Sequence, residues 1–255
     1  MPKKFTILTA TYNSKRYIRE WADSILWQKY RPLEVVCVDD KSKDSTVSIL
    51  KDFVKEFEKN DISLKVISSS KKIYCGSAYN LALKNATGSY FGVLDSDDML
   101  EPFACEFIVR IYEKYHKINW IYTQYNKYNR TMTRVIKKGF CNCPGKNKTI
   151  LLQESRNKNT YGHWRTFSDR LSNMDNLFGK GLRCCVDKHL GIRMEEIGRG
   201  MFVDKICYRY RTRIKGEKSI VHLYKLKDVR AMVVRQAKKR RREGKKVYSI
   251  SKYKD

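Results

Sequence analysis

Residues 90–98 read Tyr-Phe-Gly-Val-Leu-Asp-Ser-Asp-Asp, an apolar run short enough for a buried strand that stops on three carboxylates in four positions. Carboxylates one residue apart at a strand end project the same way, so Asp95 and Asp97 face one ligand while Asp98 opens the next turn. Repulsion between such close carboxylates is relieved by a hard divalent cation. Mg²⁺ or Mn²⁺ held by one or two of them characteristically takes its remaining ligands from a diphosphate. An isolated Asp-x-Asp is more often an acidic turn ahead of a helix, here one starting near Glu101. The segments upstream decide between the two readings.

Towards the N-terminus, strand-like and helix-like patterns alternate. Residues 5–10, Phe-Thr-Ile-Leu-Thr-Ala, have the pattern of a buried strand, and residues 14–28 set Tyr17, Ile18, Trp21, Ile25 and Leu26 on one helical face. Residues 33–38 are a β-branched run ending in Asp39-Asp40, after which residues 43–57 return to helical spacing through Val47, Leu50, Val54 and Phe57. Residues 64–67 form a third strand, 77–85 a short helix and 90–94 the fourth strand. This alternation requires crossover connections, hence a Rossmann-like α/β fold with a mainly parallel sheet and helices on both faces. In such a sheet the ligand lies beyond the carboxyl ends of the strands. Three strands end there in polar clusters, Thr9-Ala-Thr-Tyr-Asn13, Asp39-Asp-Lys-Ser42 and Asp95-Ser-Asp-Asp98, so the acidic cluster reads as part of a binding crevice.

Downstream the pattern loosens. Residues 101–115 predict a helix with Pro102 in its first turn, 120–125 and 131–137 predict strands, and 139–147 a loop rich in Cys, Pro and Gly. Residues 185–196 predict a helix and 201–213 a strand. Beyond Gly216, Leu223, Leu226, Val229 and Val233 mark one side of a helix whose other faces are basic, running into Lys238-Lys-Arg-Arg-Arg242. These shifts divide the chain into 1–98, 99–215 and 216–255.

Composition bounds the rest. The 255 residues carry a net charge of +27, yet 42% are hydrophobic, enough for a real core and against a disordered basic tail protein. No window holds the run of about 18 apolar residues that a spanning helix needs, and the short apolar stretch near the N-terminus does not make a secretory signal. None of the eight cysteines forms a Cys-x-x-Cys pair. Reduced thiols in a cytoplasmic protein are the expectation, and the Asn-x-Thr triplets at Asn85, Asn129 and Asn147 then carry no glycosylation meaning.

Thr9-Ala-Thr-Tyr-Asn13, then Val36-Cys-Val-Asp-Asp-Lys-Ser-Lys-Asp-Ser-Thr46, Gly76-Ser-Ala-Tyr-Asn80 and Gly88-Ser-Tyr-Phe-Gly-Val-Leu-Asp-Ser-Asp-Asp98 together resemble the successive motifs of family 2 glycosyltransferases with the GT-A fold. Order and spacing match across about the first hundred residues. The resemblance implies an inverting transfer of a sugar from a nucleotide diphosphate donor, with Mn²⁺ or Mg²⁺ on the diphosphate. It places 1–98 as the donor-binding half of the domain and 99–215 as the acceptor-binding half. It puts Thr9 and Tyr12 at the base and ribose pocket, Asp39 as acceptor of the base N3–H, Asp95 at the ribose, Asp97 on the metal and Asp98 as a second metal ligand. A carboxylate suits uracil or thymine, either of which presents a donor there, so a UDP-sugar is the expected donor and a dTDP-sugar the alternative. Asp40 and Asp44 are open to a structural reading as caps of the helix starting near Lys43. Tyr79-Asn80 departs from the Arg-Asn common in the family, which leaves the charge at the diphosphate to Lys71 or Lys72.

Inversion needs a carboxylate to take the acceptor hydroxyl's proton on the face opposite the leaving diphosphate. The family places this base at the opening of a helix after the acceptor loop. Cys185-Val-Asp-Lys-His-Leu190 resembles that segment and makes Asp187 the base, with an N-cap role as the alternative; Glu195 and Glu196 read as solvated or paired with Arg193 and Arg199. Tyr161-Gly-His-Trp-Arg-Thr-Phe167 combines aromatic planes suited to sugar faces with His163 and Arg165, which could meet donor phosphates; Trp164 joins them as an acceptor contact, and aromatic packing under a loop is the alternative. Tyr208-Arg-Tyr-Arg-Thr-Arg213 resembles the strand that closes the family's catalytic domain, with Arg213 where a metal-binding His is common and His222 as a weak substitute.

The charge also admits a nucleic-acid-binding protein, but no nucleic-acid-binding motif accompanies it. Residues 205–255 hold 19 basic and 4 acidic residues, so more than half the excess lies in the last fifth of the chain. A basic amphipathic helix within 223–246 would suit an anionic membrane surface, and with it a lipid-linked or glycan acceptor at the inner face of a membrane. Packing of that helix on the catalytic domain is the alternative. A relative that binds nucleotide sugars without transferring them is a further one.

Overall fold

The computed structural model describes residues 1–144, 149–151, 161–171, 175–212 and 226–253. The first half builds as the alternation predicts: β1 (Phe5–Thr11), α1 (Ile18–Leu26), β2 (Leu33–Asp39), α2 (Thr46–Lys59), β3 (Ile62–Ser68), α3 (Tyr74–Lys84) and β4 (Tyr90–Val93). Every residue of β2 is buried, so both faces of the sheet are covered there, whereas β3 alternates buried and exposed positions as an edge strand does. β1 pairs in parallel with β2 and with β4, and β2 with β3, which aligns the carboxyl ends of these strands along one edge.

The second half continues the same sheet through β5 (Met99–Leu100), α4 (Ala104–Lys114), β6 (Trp120–Tyr128), β7 (Val135–Lys138), β8 (Arg165–Ser168), α5 (Val186–Glu195), β9 (Gly200–Arg211), α6 (Leu226–Arg242) and β10 (Ile250–Lys252). The strand order is β10-β9-β6-β8-β4-β1-β2-β3, with β5 on β9 and β7 on β6. The sheet is therefore mixed: β8 runs antiparallel to both β4 and β6 and joins a parallel half to the rest. β8 lies in the aromatic stretch that the sequence offers as a site loop. Its Trp164 neighbour is fully buried, and a Cβ at Gly92 would lie 2.4 Å from the Trp164 ring, so only glycine on β4 admits that indole. The strand expected at 131–137 shortens to β7 because Asn129 closes a turn before it, its side-chain oxygen accepting from the Thr133 and Arg134 amides at 2.9 and 3.0 Å.

The C-terminal residues are not a separate extension. Val233 and Ala237 of α6 are buried and Val229 packs against the core, so the face that would enter a bilayer is already covered by protein. β10 pairs in parallel with β9 and completes the sheet. Glu195 and Glu196 are buried rather than solvated: Arg241 donates to Glu195 at 2.7 Å, and Arg240 grips both oxygens of Glu196 at 2.9 and 3.1 Å, with Arg193 adding a third donor. Leu223, His222 and Arg213 lie outside the described residues, as do residues 223–225 of the expected membrane segment. No helix among the described residues is long and apolar enough to cross a membrane, and all eight cysteines are free.

Candidate functional site

Each parallel strand delivers polar groups to the shared edge, but not all of them face outward. Thr9 is fully buried, its hydroxyl donating to the Leu94 carbonyl at 2.9 Å and accepting from the Trp21 indole. Its side chain ties β1 to the end of β4 and does not face the crevice. Asp39 accepts from the Ser42 amide at 2.8 Å and from the Ser42 hydroxyl, which fixes the carboxylate at the end of β2. Asp40 is structural, and it caps α3 rather than α2, taking the Ile73 and Tyr74 amides at 2.6 and 3.1 Å. Asp44 caps α2 through the amide and hydroxyl of Thr46. The Lys72 ammonium pairs with Asp40 at 3.0 Å and lies over the Tyr12 ring, at the mouth between β1 and β2.

The acidic cluster separates into two roles. Asp98 is buried, accepting the Tyr208 hydroxyl on one oxygen and the Arg211 amide on the other, each at 2.7 Å. Burial, with Asp97 and Asp95 nearby, raises its pKa well above the usual carboxylate range. It fastens the turn after β4 to β9 and is not placed to ligate a metal. Asp95 and Asp97 are half-buried at the crevice. Burial raises the Asp95 pKa and the Asp97 charge adds to this, against the pull of Arg165. Two carboxylates that repel each other at a strand end are a donor set a divalent ion relieves. Among the described residues no third His, Cys, Asp or Glu joins them, so such an ion would complete its shell with phosphate oxygens and water.

Tyr79, standing where an Arg was expected, donates its phenol to Asp95 at 2.6 Å. The cation near Asp95 comes from Arg165 on β8, not from Lys71 or Lys72. Burial opposes the charge of this guanidinium, and the carboxylates of Asp187 and Asp95 more than compensate, raising its pKa. Asp187 sits half-buried in the first turn of α5, where the helix N-terminus favours a carboxylate. Together Arg165 and Asp187 line a cavity of about 210 Å³ walled by Tyr125, Phe140, Tyr161 and Tyr210 and holding Lys127.

His163 also lines this cavity, stacked on Tyr208 with ring centroids 4.5 Å apart. Arg165 donates to its Nδ1 at 2.6 Å, and burial together with that charge drives its pKa well below the usual value, leaving a neutral acceptor. Trp164 points the other way, into the core against Phe5, and cannot meet an acceptor. Sequence reasoning brought Asp187, His163 and Arg165 forward separately; that Arg165 lines one cavity with Asp187 and also adjoins the strand end bearing Asp95 emerges only from the pairing of β8 with β4. Lys127 gave no signal at all.

The family model "Glycosyl transferase family 2" matches residues 6–173. The chain is 33% identical over 207 residues to the chondroitin synthase of Escherichia coli, a match covering 80% of this chain and 28% of that protein. It spans about a quarter of the length of the curated relatives it matches. Among solved structures, S. aureus TarS 1-349 in complex with UDP-GlcNAc superposes with a TM-score of 0.73 at 22% identity, covering 92% of this chain and 65% of that one. The mannosyltransferase PcManGT from Pyrobaculum calidifontis, in complex with GDP-Man and Mn²⁺, does so with a TM-score of 0.61 at 19% identity, covering 97% and 66%. With the fold, the ordered strand-end motifs and the family match in agreement, the α/β sheet is a GT-A fold and the chain belongs to glycosyl transferase family 2.

Proposed function

We propose that the chain is an inverting glycosyltransferase that moves a sugar from a UDP-sugar to a hydroxyl of a growing glycan. The observation that carries this reading is the position of Arg165, which is paired with Val93 two residues before Asp95 and lines one cavity with Asp187. Asp39, held by Ser42, offers a carboxylate to the N3–H of uracil, and Tyr12 with Lys72 over it borders the same pocket. Asp95 and Asp97 would hold Mn²⁺ or Mg²⁺, which when bound neutralises charge on the diphosphate. The GDP-Man and Mn²⁺ of the PcManGT complex and the UDP-GlcNAc of the TarS complex support a nucleotide sugar and a metal as ligands of this fold.

In the transfer, the acceptor hydroxyl oxygen attacks the anomeric carbon and the bond from that carbon to the diphosphate breaks, its electron pair leaving with the nucleotide. Asp187 takes the hydroxyl proton. Arg165 opposes the rise that burial gives the Asp95 pKa, and it places positive charge beside the departing diphosphate. The aromatic walls of the cavity present faces to the acceptor sugar.

The test is hydrolysis and transfer with a panel of UDP-, dTDP- and GDP-sugars, with and without Mn²⁺. Turnover of a UDP-sugar by the wild type, lost in Asp187→Asn with nucleotide binding retained, is the expected result. No turnover of any donor, with equal nucleotide binding by wild type and by Asp97→Ala, would overturn the reading.

A further inference from the structure

The acceptor side of the molecule carries a charge pattern that the transfer reaction does not use. The forty residues 114–153 contain nine Lys and Arg and no Asp or Glu. Five of the nine, Lys127, Arg130, Arg134, Lys137 and Lys138, fall on the β6–β7 hairpin, whose second strand is exposed along its whole length. Lys127 and Lys137 are direct partners across this antiparallel pair. Like charges placed opposite each other weaken a sheet, so the pairing has a cost that a bound anion would remove.

Lys127 is where the hairpin meets the cavity. Its ammonium stands 5.6 Å from the Phe140 ring centroid and 5.9 Å from that of Tyr210, and no carboxylate pairs with it among the described residues. The other cation in the cavity, Arg165, is buried, donates to His163 and has its charge favoured by Asp187 and Asp95. Lys127 is thus the exposed-side cation of a cavity whose walls are mainly rings, with Asp187 and Arg165 on the same lining. Aromatic faces select a pyranose, and a lone ammonium beside them selects an anionic group carried on that ring.

We infer that the acceptor is an acidic polysaccharide whose chain lies along the β6–β7 hairpin and places a uronate carboxylate on Lys127. The inference rests on the cavity's being the acceptor site. It extends that assignment from a hydroxyl-bearing glycan to a glycan of defined charge, and makes Lys127 a specificity-determining residue.

The experiment is direct binding of uronate-containing oligosaccharides, glucuronate and galacturonate types, each paired with its carboxyl-reduced twin, to the full chain loaded with UDP and Mn²⁺. The expected result is at least one acid form bound about ten-fold more tightly than its neutral twin, with the difference collapsing in Lys127→Gln and kept in Lys127→Arg. Equal affinity within every pair, or discrimination that survives Lys127→Gln, overturns the inference. So does inorganic polyphosphate that competes equally well in wild type and Lys127→Gln, which would mark an undiscriminating basic surface. UDP binding in the same samples separates the two levels: its absence defeats the transferase reading, while its presence with no discrimination defeats only the acidic acceptor.

Discussion

Asp97 and Asp98 are neighbours of the same type with opposite surroundings, and this difference makes the sharpest residue-scale prediction. Asp98 accepts from Tyr208 and Arg211 in a buried position, so Asp98→Ala leaves two donors unpaired and is expected to cost about 3 kcal/mol, seen as a drop in Tm of roughly 9 °C. Asp97→Asn is expected to leave Tm unchanged and lower kcat about 10²-fold or more. Thermal melts and initial rates on the two variants check both halves. A second prediction concerns His189, which burial holds down to a pKa of about 4. The unfolded chain takes up a proton near pH 6.5 that the native state refuses, so stability from this group is present above 6.5 and lost as pH falls towards 4. Denaturant titrations of His189→Gln should show a stability curve flatter by up to about 1.4 kcal/mol per pH unit across that window. At this scale the sequence was readable where a residue's partner is local, as with Asp44 and Thr46. It was not readable for Thr9, Asp98 or Trp164, whose partners lie 85, 110 and 41 positions away.

α5 opens with Asp187 and closes with Glu195 and Glu196, the two carboxylates gripped by Arg240 and Arg241 of α6. The element that carries the proposed base is thereby fastened at its far end by the C-terminal helix. Arg240→Ala removes the bidentate partner of a buried carboxylate, and the expected loss is about 3 kcal/mol, measured by chemical denaturation. Replacing exposed Lys239, which pairs with exposed Glu243, should change stability by less than about 0.5 kcal/mol. Periodicity found α6 and its apolar stripe correctly, because Val229 and Val233 repeat at helical spacing. The same stripe fits a bilayer or a protein surface equally well, and the burial of Val233 and Ala237 with the glutamates of α5 shows protein covering it. β8 escaped detection for a related reason: its residues carry no alternation, and its pairing with β4 and β6 is entirely long-range.

For the whole molecule, the net charge of +27 is spread over three places with different consequences. Arg240 and Arg241 of α6 pair with buried glutamates, the β6–β7 hairpin carries an unbalanced ridge, and Arg165 stands buried in the cavity lining beside Asp187. Because α6 and β10 are integral, association with anionic vesicles is expected to be purely electrostatic and to vanish by about 0.5 M salt; flotation that persists at that salt would contradict the packing of Val233 and Ala237. The parallel half of the sheet and the strand ends that share one edge were legible from the sequence, whereas the join between that edge and the cavity depends on the mixed half. That join is the central claim, and a crystal structure of the full chain soaked with UDP and Mn²⁺ tests it most directly. The account predicts manganese scattering at Asp95 and Asp97 and the diphosphate between that metal and Arg165, facing Asp187 across the cavity mouth. Nucleotide and metal bound elsewhere, with Asp95 and Asp97 left unliganded, would contradict it.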